Sequence, residues 1–206
     1  MMTQREPLLN PVAVSDLRPT QITVGMREVG LKRQMIRAQS ARKTGTFLGS
    51  HMVPVVLGPK KRNYVTDHHH LARALLEEGI EDVLVTVISD LSGLDKDAFF
   101  VVLDNRGWMH PFDENGKRRD YDAIPKTMAG LADDPYRSMA GELRRQGGFA
   151  KDTTPFSEFL WADFLRRRIE PGVAAKNFDK AMKEALSLAK GKDANYLPGW
   201  CGPTAD

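Results

Sequence analysis

Near residue 90 the spacing of apolar residues in this chain changes period, and that change limits the fold more than any other feature. Before it, β-branched runs dominate. Val53-Pro54-Val55-Val56-Leu57 and Asn63-Tyr64-Val65-Thr66 read as short strands around the turn Gly58-Pro59-Lys60-Lys61-Arg62, which makes a hairpin with a basic tip. Val83-Leu84-Val85-Thr86-Val87-Ile88 reads as a further, buried strand. Val12, Val14 and Leu17 form an extended entry ended by Arg18-Pro19, and Ile22, Val24 and Met26 then alternate. Leu31 to Lys43 has the spacing of a basic amphipathic helix. Leu71, Ala74, Leu75 and Leu76 supply the stripe of another, with Asp67 as its N-cap and Gly79 as its stop.

After residue 90 proline starts and glycine stops frame helices instead. Asp134-Pro135 opens Tyr136 to Gln146 before Gly147-Gly148, and Thr154-Pro155 opens Phe156 to Arg168. Phe178, Met182, Ala185, Leu186 and Ala189 repeat the design before Gly191. Asp95 to Leu103 fits a strand or a buried helix, and helix is the reading adopted. Asn115-Gly116 marks a tight turn. The expectation is an α+β protein: a small mixed β-sheet with helices over residues 1–92, a mostly helical region 93–191 packed on it, and a tail 192–206.

Composition narrows the partners only by exclusion. The 206 residues carry 30 Lys+Arg against 27 Asp+Glu, a net charge of +3 too small to mark an obligate polyanion binder. The single cysteine, Cys201, allows no internal disulfide and no cysteine zinc cluster, so a reducing cytoplasm is the expected setting. No apolar run suits a secretion signal or a membrane span.

Chemistry concentrates at Asp67-His68-His69-His70, where a strand hands over to a helix. The first N–H groups of a helix lack intrahelical acceptors and sit at the positive end of its dipole, which attracts phosphate or carboxylate oxygens. The same field disfavours imidazolium, so at least one neutral ring is expected there, able to act as base or donor. Three consecutive helical histidines diverge by about 100° each, so no shared metal centre is expected from them. The bland alternative leaves Asp67 as a cap and the imidazoles in local hydrogen bonds.

Arg27, Glu28 and Lys32 form a second polar group. If their segment folds toward the histidines, Arg27 and Lys32 would hold phosphate and Glu28 would activate a hydroxyl or position a cation. Otherwise Glu28 pairs with Lys32 at i,i+4 on a solvated face. Lys60, Lys61 and Arg62 at the hairpin tip, and Lys117 to Arg119, are candidates for nucleic-acid contact or simply face water. The stripe Phe156, Phe159, Leu160, Trp161, Phe164, Leu165 reads as core.

The order strand, basic hairpin, Tyr64-Val65-Thr66-Asp67-His68-His69-His70-Leu71-Ala72-Arg73-Ala74, closing strand resembles the ParB/sulfiredoxin superfamily. Arg18-Pro19-Thr20-Gln21, Val24-Gly25, Asp134-Pro135-Tyr136-Arg137-Ser138, the segment from Phe156 to Phe164, and Leu197-Pro198-Gly199 resemble its putative ParB-like nuclease family in particular. That resemblance implies a phosphate held at the helix start, with His69 and His70 on the phosphate-contacting pair and Asp67 in place of a glycine. His68 falls where sulfiredoxins carry cysteine, so their sulfinic-acid reductase chemistry has no nucleophile here.

The expected activity is therefore a nuclease or other phosphoester hydrolase, with Asp67, His69, His70 and Glu28 catalytic and His68, His69, His70, Arg27 and Lys32 contacting phosphate. Mg²⁺ or Mn²⁺ would be its cation. A small-molecule kinase using ATP, ADP or CTP, with Glu28 as base, and a non-catalytic DNA- or protein-binding module are the alternatives.

Overall fold

The computed structural model describes residues 10–38 and 52–203. Four strands form one sheet: β1 (Asn10–Ala13), β3 (Val53–Gly58), β4 (Arg62–Val65) and β5 (Asp82–Asp90), in the spatial order β1-β5-β3-β4. β3 and β4 make the expected antiparallel hairpin, pairing Gly58 with Arg62 across a tip formed by Pro59, Lys60 and Lys61. β5 returns parallel to β3 after the helix α2 (His69–Glu77), and β1 closes the edge antiparallel to β5. A parallel return requires a crossover, and α2 supplies it.

Alternation along β3 puts its side chains on both faces of the sheet. Val53 and Val55 join Val29, Ile36, Leu71 and Leu75 beneath α1 (Met26–Arg37) and α2. Val56 joins Phe99, Phe100 and Leu103 beneath α3 (Lys96–Asn105), whose start is capped by the Asp95 carboxylate accepting from the Ala98 N–H. The ambiguous Asp95 to Leu103 segment is thus helix. A third core gathers α4 (Pro135–Arg145), α5 (Ser157–Arg166), α6 (Pro171–Lys176) and α7 (Phe178–Lys190) around Trp161, which stacks on Phe149 with ring centroids 4.4 Å apart. The architecture is α+β.

A second, two-stranded parallel sheet joins the halves, with β2 (Thr23–Val24) beside β6 (Ala132–Asp133). It delivers Gly25, at the start of α1, next to Ser138 on α4.

Several expectations need correction. Ile22, Val24 and Met26 do not form one strand, because only Thr23 and Val24 pair and Met26 already opens α1. That helix therefore starts five residues before Leu31, and residues 39–43 of the expected helix lie outside the described residues. Asp67 is not the N-cap of α2: His68 is, in the left-handed conformation at φ 67°, and the Asp67 carboxylate accepts from the His68 N–H at 2.6 Å. Phe156 likewise replaces Thr154 as the N-cap of α5, at φ 58°. β5 is buried only at Val83 and Val85, with Val87 and Ile88 exposed. The aromatic stripe of α5 is core at Trp161, Phe164 and Leu165 but not at Leu160, which is exposed. An apolar pattern marks a face and leaves open how much of it a neighbour covers.

Candidate functional site

α2 and α5 start on the same side of the molecule, and both starts line one cavity of about 440 Å³. Neither N-cap side chain accepts a hydrogen bond from its helix. Neither start thus has a side-chain cap, and both dipoles present their positive ends to the cavity, but at α5 the Ser157 and Phe159 N–H groups already donate to the Thr154 and Phe156 carbonyls.

The histidines divide into two kinds. His69 and His70 are buried, and each Nε2 accepts a backbone N–H, from Thr20 at 3.1 Å and from Gly25 at 3.0 Å. An imidazole that accepts at Nε2 is neutral with its proton on Nδ1. Burial is the main cause that lowers the His69 pKa, to about 3, against the raising effect of Asp67. Burial also lowers the His70 pKa, reinforced by the charges of Arg137, Lys32 and Arg145. His68 is only half-buried and lines the cavity, and its Nδ1 is buried there without a partner.

Glu28 and Lys32 line the same cavity, so α1 does bring them to the histidines. Glu28 does not pair with Lys32. Its Oε2 accepts from Arg137 Nη1 at 3.2 Å and lies 3.7 Å from His70 Nε2. Arg27 goes elsewhere: its guanidinium stacks 3.8 Å over the Phe178 ring and lines a separate groove between α1, α4 and α7. Lys60 and Arg62 line another cavity beside Tyr64, and Lys61 is exposed at the hairpin tip.

The residues that composition and spacing did not single out are Arg137, Arg144, Lys151 and Ser157. Arg137 is buried, with its guanidinium 5.3 Å from the Phe159 ring and its Nε unpartnered. Arg144 Nε lies 3.4 Å from Glu158 Oε1, an ion pair without the geometry of a hydrogen bond. The segment Asp134 to Ser138 was the signal that could have found Arg137, and the segment Phe156 to Phe164 the one for Ser157; Arg144 and Lys151 lie in neither.

The cavity's carboxylates are all engaged: Glu28 with Arg137, Asp67 with the His68 N–H, Asp152 with the Thr154 N–H, and Glu158 with Ser157 and Arg144. Lys32 and Lys151 make no ion pair among the described residues. The formal charges of the lining balance, and Lys32, Lys151 and Arg137 Nε are donors without a partner among the described residues. Such a surface suits an anionic, acceptor-only group. Among the described residues, no three His, Cys, Asp or Glu side chains are grouped to hold a metal ion, so a metal centre built from protein ligands alone does not fit.

A mixed sheet whose crossover helix presents its start to a polar cavity defines the class, and the sequence comparison specifies it. Residues 10–167 match the family described as putative ParB-like nuclease, and the chain belongs to that family. It is also similar to protein Atu1540 from Agrobacterium tumefaciens, whose crystal structure superposes with a TM-score of 0.88 at 51% identity, covering 95% of this chain and 99% of that one. No curated protein matches the chain. No helix among the described residues is long and apolar enough to cross a membrane.

Proposed function

We propose that the cavity between the α2 and α5 helix starts binds a phosphate group and that the protein is a cytoplasmic phosphoester hydrolase of the nuclease type. The unpartnered donors Lys32, Lys151 and Arg137 Nε beside the α2 start carry this reading. The phosphate oxygens would accept from N–H groups of the α2 start, from Arg137 and Arg144, and from Lys32 and Lys151, with the α5 dipole adding its positive end. His69 and His70, each occupied at Nε2, position the loop that the phosphate meets. His68 is the ring with neither nitrogen hydrogen-bonded among the described residues, and since Nδ1 is buried its Nε2 is the base or donor for the attacking water, with Asp67 fixing its backbone. Glu28 holds Arg137 in place. A divalent cation, Mg²⁺ or Mn²⁺, would have to arrive on the substrate's own phosphates.

Two measurements test this. Inorganic phosphate at 100 times its dissociation constant should stabilise the protein by about 2.7 kcal/mol in thermal denaturation. Exposed Lys151, changed to Met, should weaken that effect without altering the free protein. Hydrolysis of plasmid and single-stranded DNA with Mg²⁺ or Mn²⁺ should fall at least tenfold in His68→Ala, and equal turnover by both proteins would reject the catalytic assignment.

The presence of Glu28 in the same cavity favours one second reading, phosphoryl transfer from ATP, ADP or CTP to a small-molecule hydroxyl with Glu28 as base. Release of ADP or AMP, lost in Glu28→Gln, distinguishes it from hydrolysis.

A further inference from the structure

A cavity of about 280 Å³ opens beside the tip of the β3–β4 hairpin and shares no lining residue with the cavity between the helix starts. Arg18, Lys60, Arg62, Lys96 and Lys126 line it, against one carboxylate, Asp122. Five cations facing one anion leave a surplus of four charges, more than the +3 of the whole chain. The lining between the helix starts is balanced, so the chain's excess of positive charge gathers at the hairpin tip instead.

The fold itself uses little of this charge. Among the described residues only Lys96 of the five forms an ion pair, with Asp122, and both are exposed. Arg18 donates from Nη1 to the Lys126 carbonyl, while its own backbone bonds to Asn63 and Val65 on the β4 edge at 2.8 Å each. The Lys126 segment is thereby held against the sheet, which fixes the shape of the cavity. Lys60 holds a left-handed backbone at φ 62°, where Gly or Asn would sit with less strain. Its side chain is exposed, so it is charge and not packing that a lysine contributes there.

The rest of the wall is apolar, formed by Tyr64, Phe100 and Ile124 with Pro19, Pro59 and Pro125. Its rings already pack on one another: Phe100 meets Tyr121 at a centroid distance of 5.6 Å and Tyr64 edge-on at 6.0 Å. With those faces engaged, the wall offers ring edges and prolines, which suit an aliphatic side chain better than a stacked planar ring. A bare oxyanion would leave this wall in water. The matching ligand carries several carboxylates around an apolar group, and a charged rim about an apolar floor is the anatomy of a protein interface.

We propose that this cavity docks an acidic segment of a partner protein, in which carboxylate side chains meet Lys60, Arg62 and Lys126 while an aliphatic side chain between them enters against Phe100, Ile124 and Pro125. Charge complementarity sets the sign of the partner, and Asp122, neutralised by Lys96, does not oppose it. The site stands apart from the phosphate reading, since the two cavities have no residue in common.

Fluorescence anisotropy of a labelled Glu-Glu-Leu-Glu-Glu peptide with the full chain tests this. Arg62→Gln and Lys126→Gln, both at exposed positions, should each weaken binding about fivefold, and replacing the peptide's Leu with Ala should weaken it about tenfold. Lys151→Met removes a charge at the other cavity and should change nothing. Equal weakening by Lys151→Met would show general attraction to a cationic protein and overturn the site, as would equal affinity for the Leu and Ala peptides. Citrate or a single-stranded oligonucleotide that bound as tightly as the peptide, with the same loss in Arg62→Gln, would put a small polycarboxylate or a nucleic acid in place of the acidic segment and overturn the assignment. No binding at millimolar peptide would overturn it too.

Discussion

The Gly25 N–H donates to Nε2 of His70 across 3.0 Å, which ties the first turn of α1 to the first turn of α2 inside the protein. Thr20 makes the equivalent bond to His69. Replacing His70 with Ala would leave a buried donor unpaired and open a space the size of an imidazole. We expect a loss of about 2–4 kcal/mol in urea denaturation. Gly25→Ala attacks the same corner from the other side. An added Cβ would lie 2.8 Å from the Ser138 amide nitrogen and 2.9 Å from its Cα, both backbone atoms. The variant should lose about 1–3 kcal/mol, and a neutral result would mean that α1 and α4 are less closely packed than the structure has them.

Acid should unfold the protein through these buried rings. The folded pKa values of His69 and His110 are lowered to about 3, and that of His70 is lowered too, all with burial as the main cause. The unfolded chain, with histidines near 6.5, then binds more protons than the folded one below that pH. Stability is complete above about pH 6.5 and falls as pH drops toward the folded values, by up to about 1.4 kcal/mol per pH unit for each histidine. Urea midpoints from pH 7.5 to 5 would measure the slope, which should become shallower in His110→Leu. A flat profile would contradict neutral burial.

Asp134 is the anchor of α4 and so of Arg137. It is buried, its Oδ1 accepts from the Tyr136 and Arg137 N–H groups at 2.9 and 3.2 Å, and its Oδ2 accepts from Arg166 at 2.6 Å. Burial raises its pKa, against the lowering effect of Arg166 and of the helix amides. Asp134→Ala removes the cap and strands a half-buried guanidinium, at an expected cost of about 3–5 kcal/mol. Asp134→Asn keeps the cap acceptor and should cost less. Thermal denaturation of the pair separates the two contributions, and equal losses would mean that only the ion pair matters.

The hairpin tip offers a gain. Lys60 and Lys61 hold left-handed backbones, at φ 62° and 54°, which Asn and Gly adopt more easily. Replacing them with Asn and Gly should stabilise the protein by about 1 kcal/mol. The same change removes two charges from the proposed nucleic-acid contact. Retention on a single-stranded DNA column should shift to lower salt if Lys60, Lys61 and Arg62 touch the polymer, and should not move if the tip only faces water.

Local chemistry made much of this protein legible. The β3–β4 hairpin follows from β-branched runs around a Gly-Pro turn, α4 from Asp134-Pro135, and the end of α7 from Gly191, because each depends on forces between residues close in the chain. The helix start at His69 was readable for the same reason, since the unpaired amides belong to one short segment; the neutrality of His69 and His70 has a different cause from the local dipole, namely burial beneath distant segments that donate the Thr20 and Gly25 N–H groups to them. Where the helices begin to the residue was less legible, since Asp67 and Thr154 look like caps and left-handed His68 and Phe156 do that work.

Long-range packing decided the rest. Glu28 has a suitable partner in Lys32 four residues on, yet it bonds to Arg137, 109 positions away, because β2 and β6 pair and bring α1 against α4. The same pairing turns Arg27 away onto Phe178 and sets the α5 start opposite that of α2. Periodicity along a chain tells which side chains share a face. Which faces meet, and therefore which donors are left without acceptors around a common cavity, depends on contacts that form only when distant segments have packed.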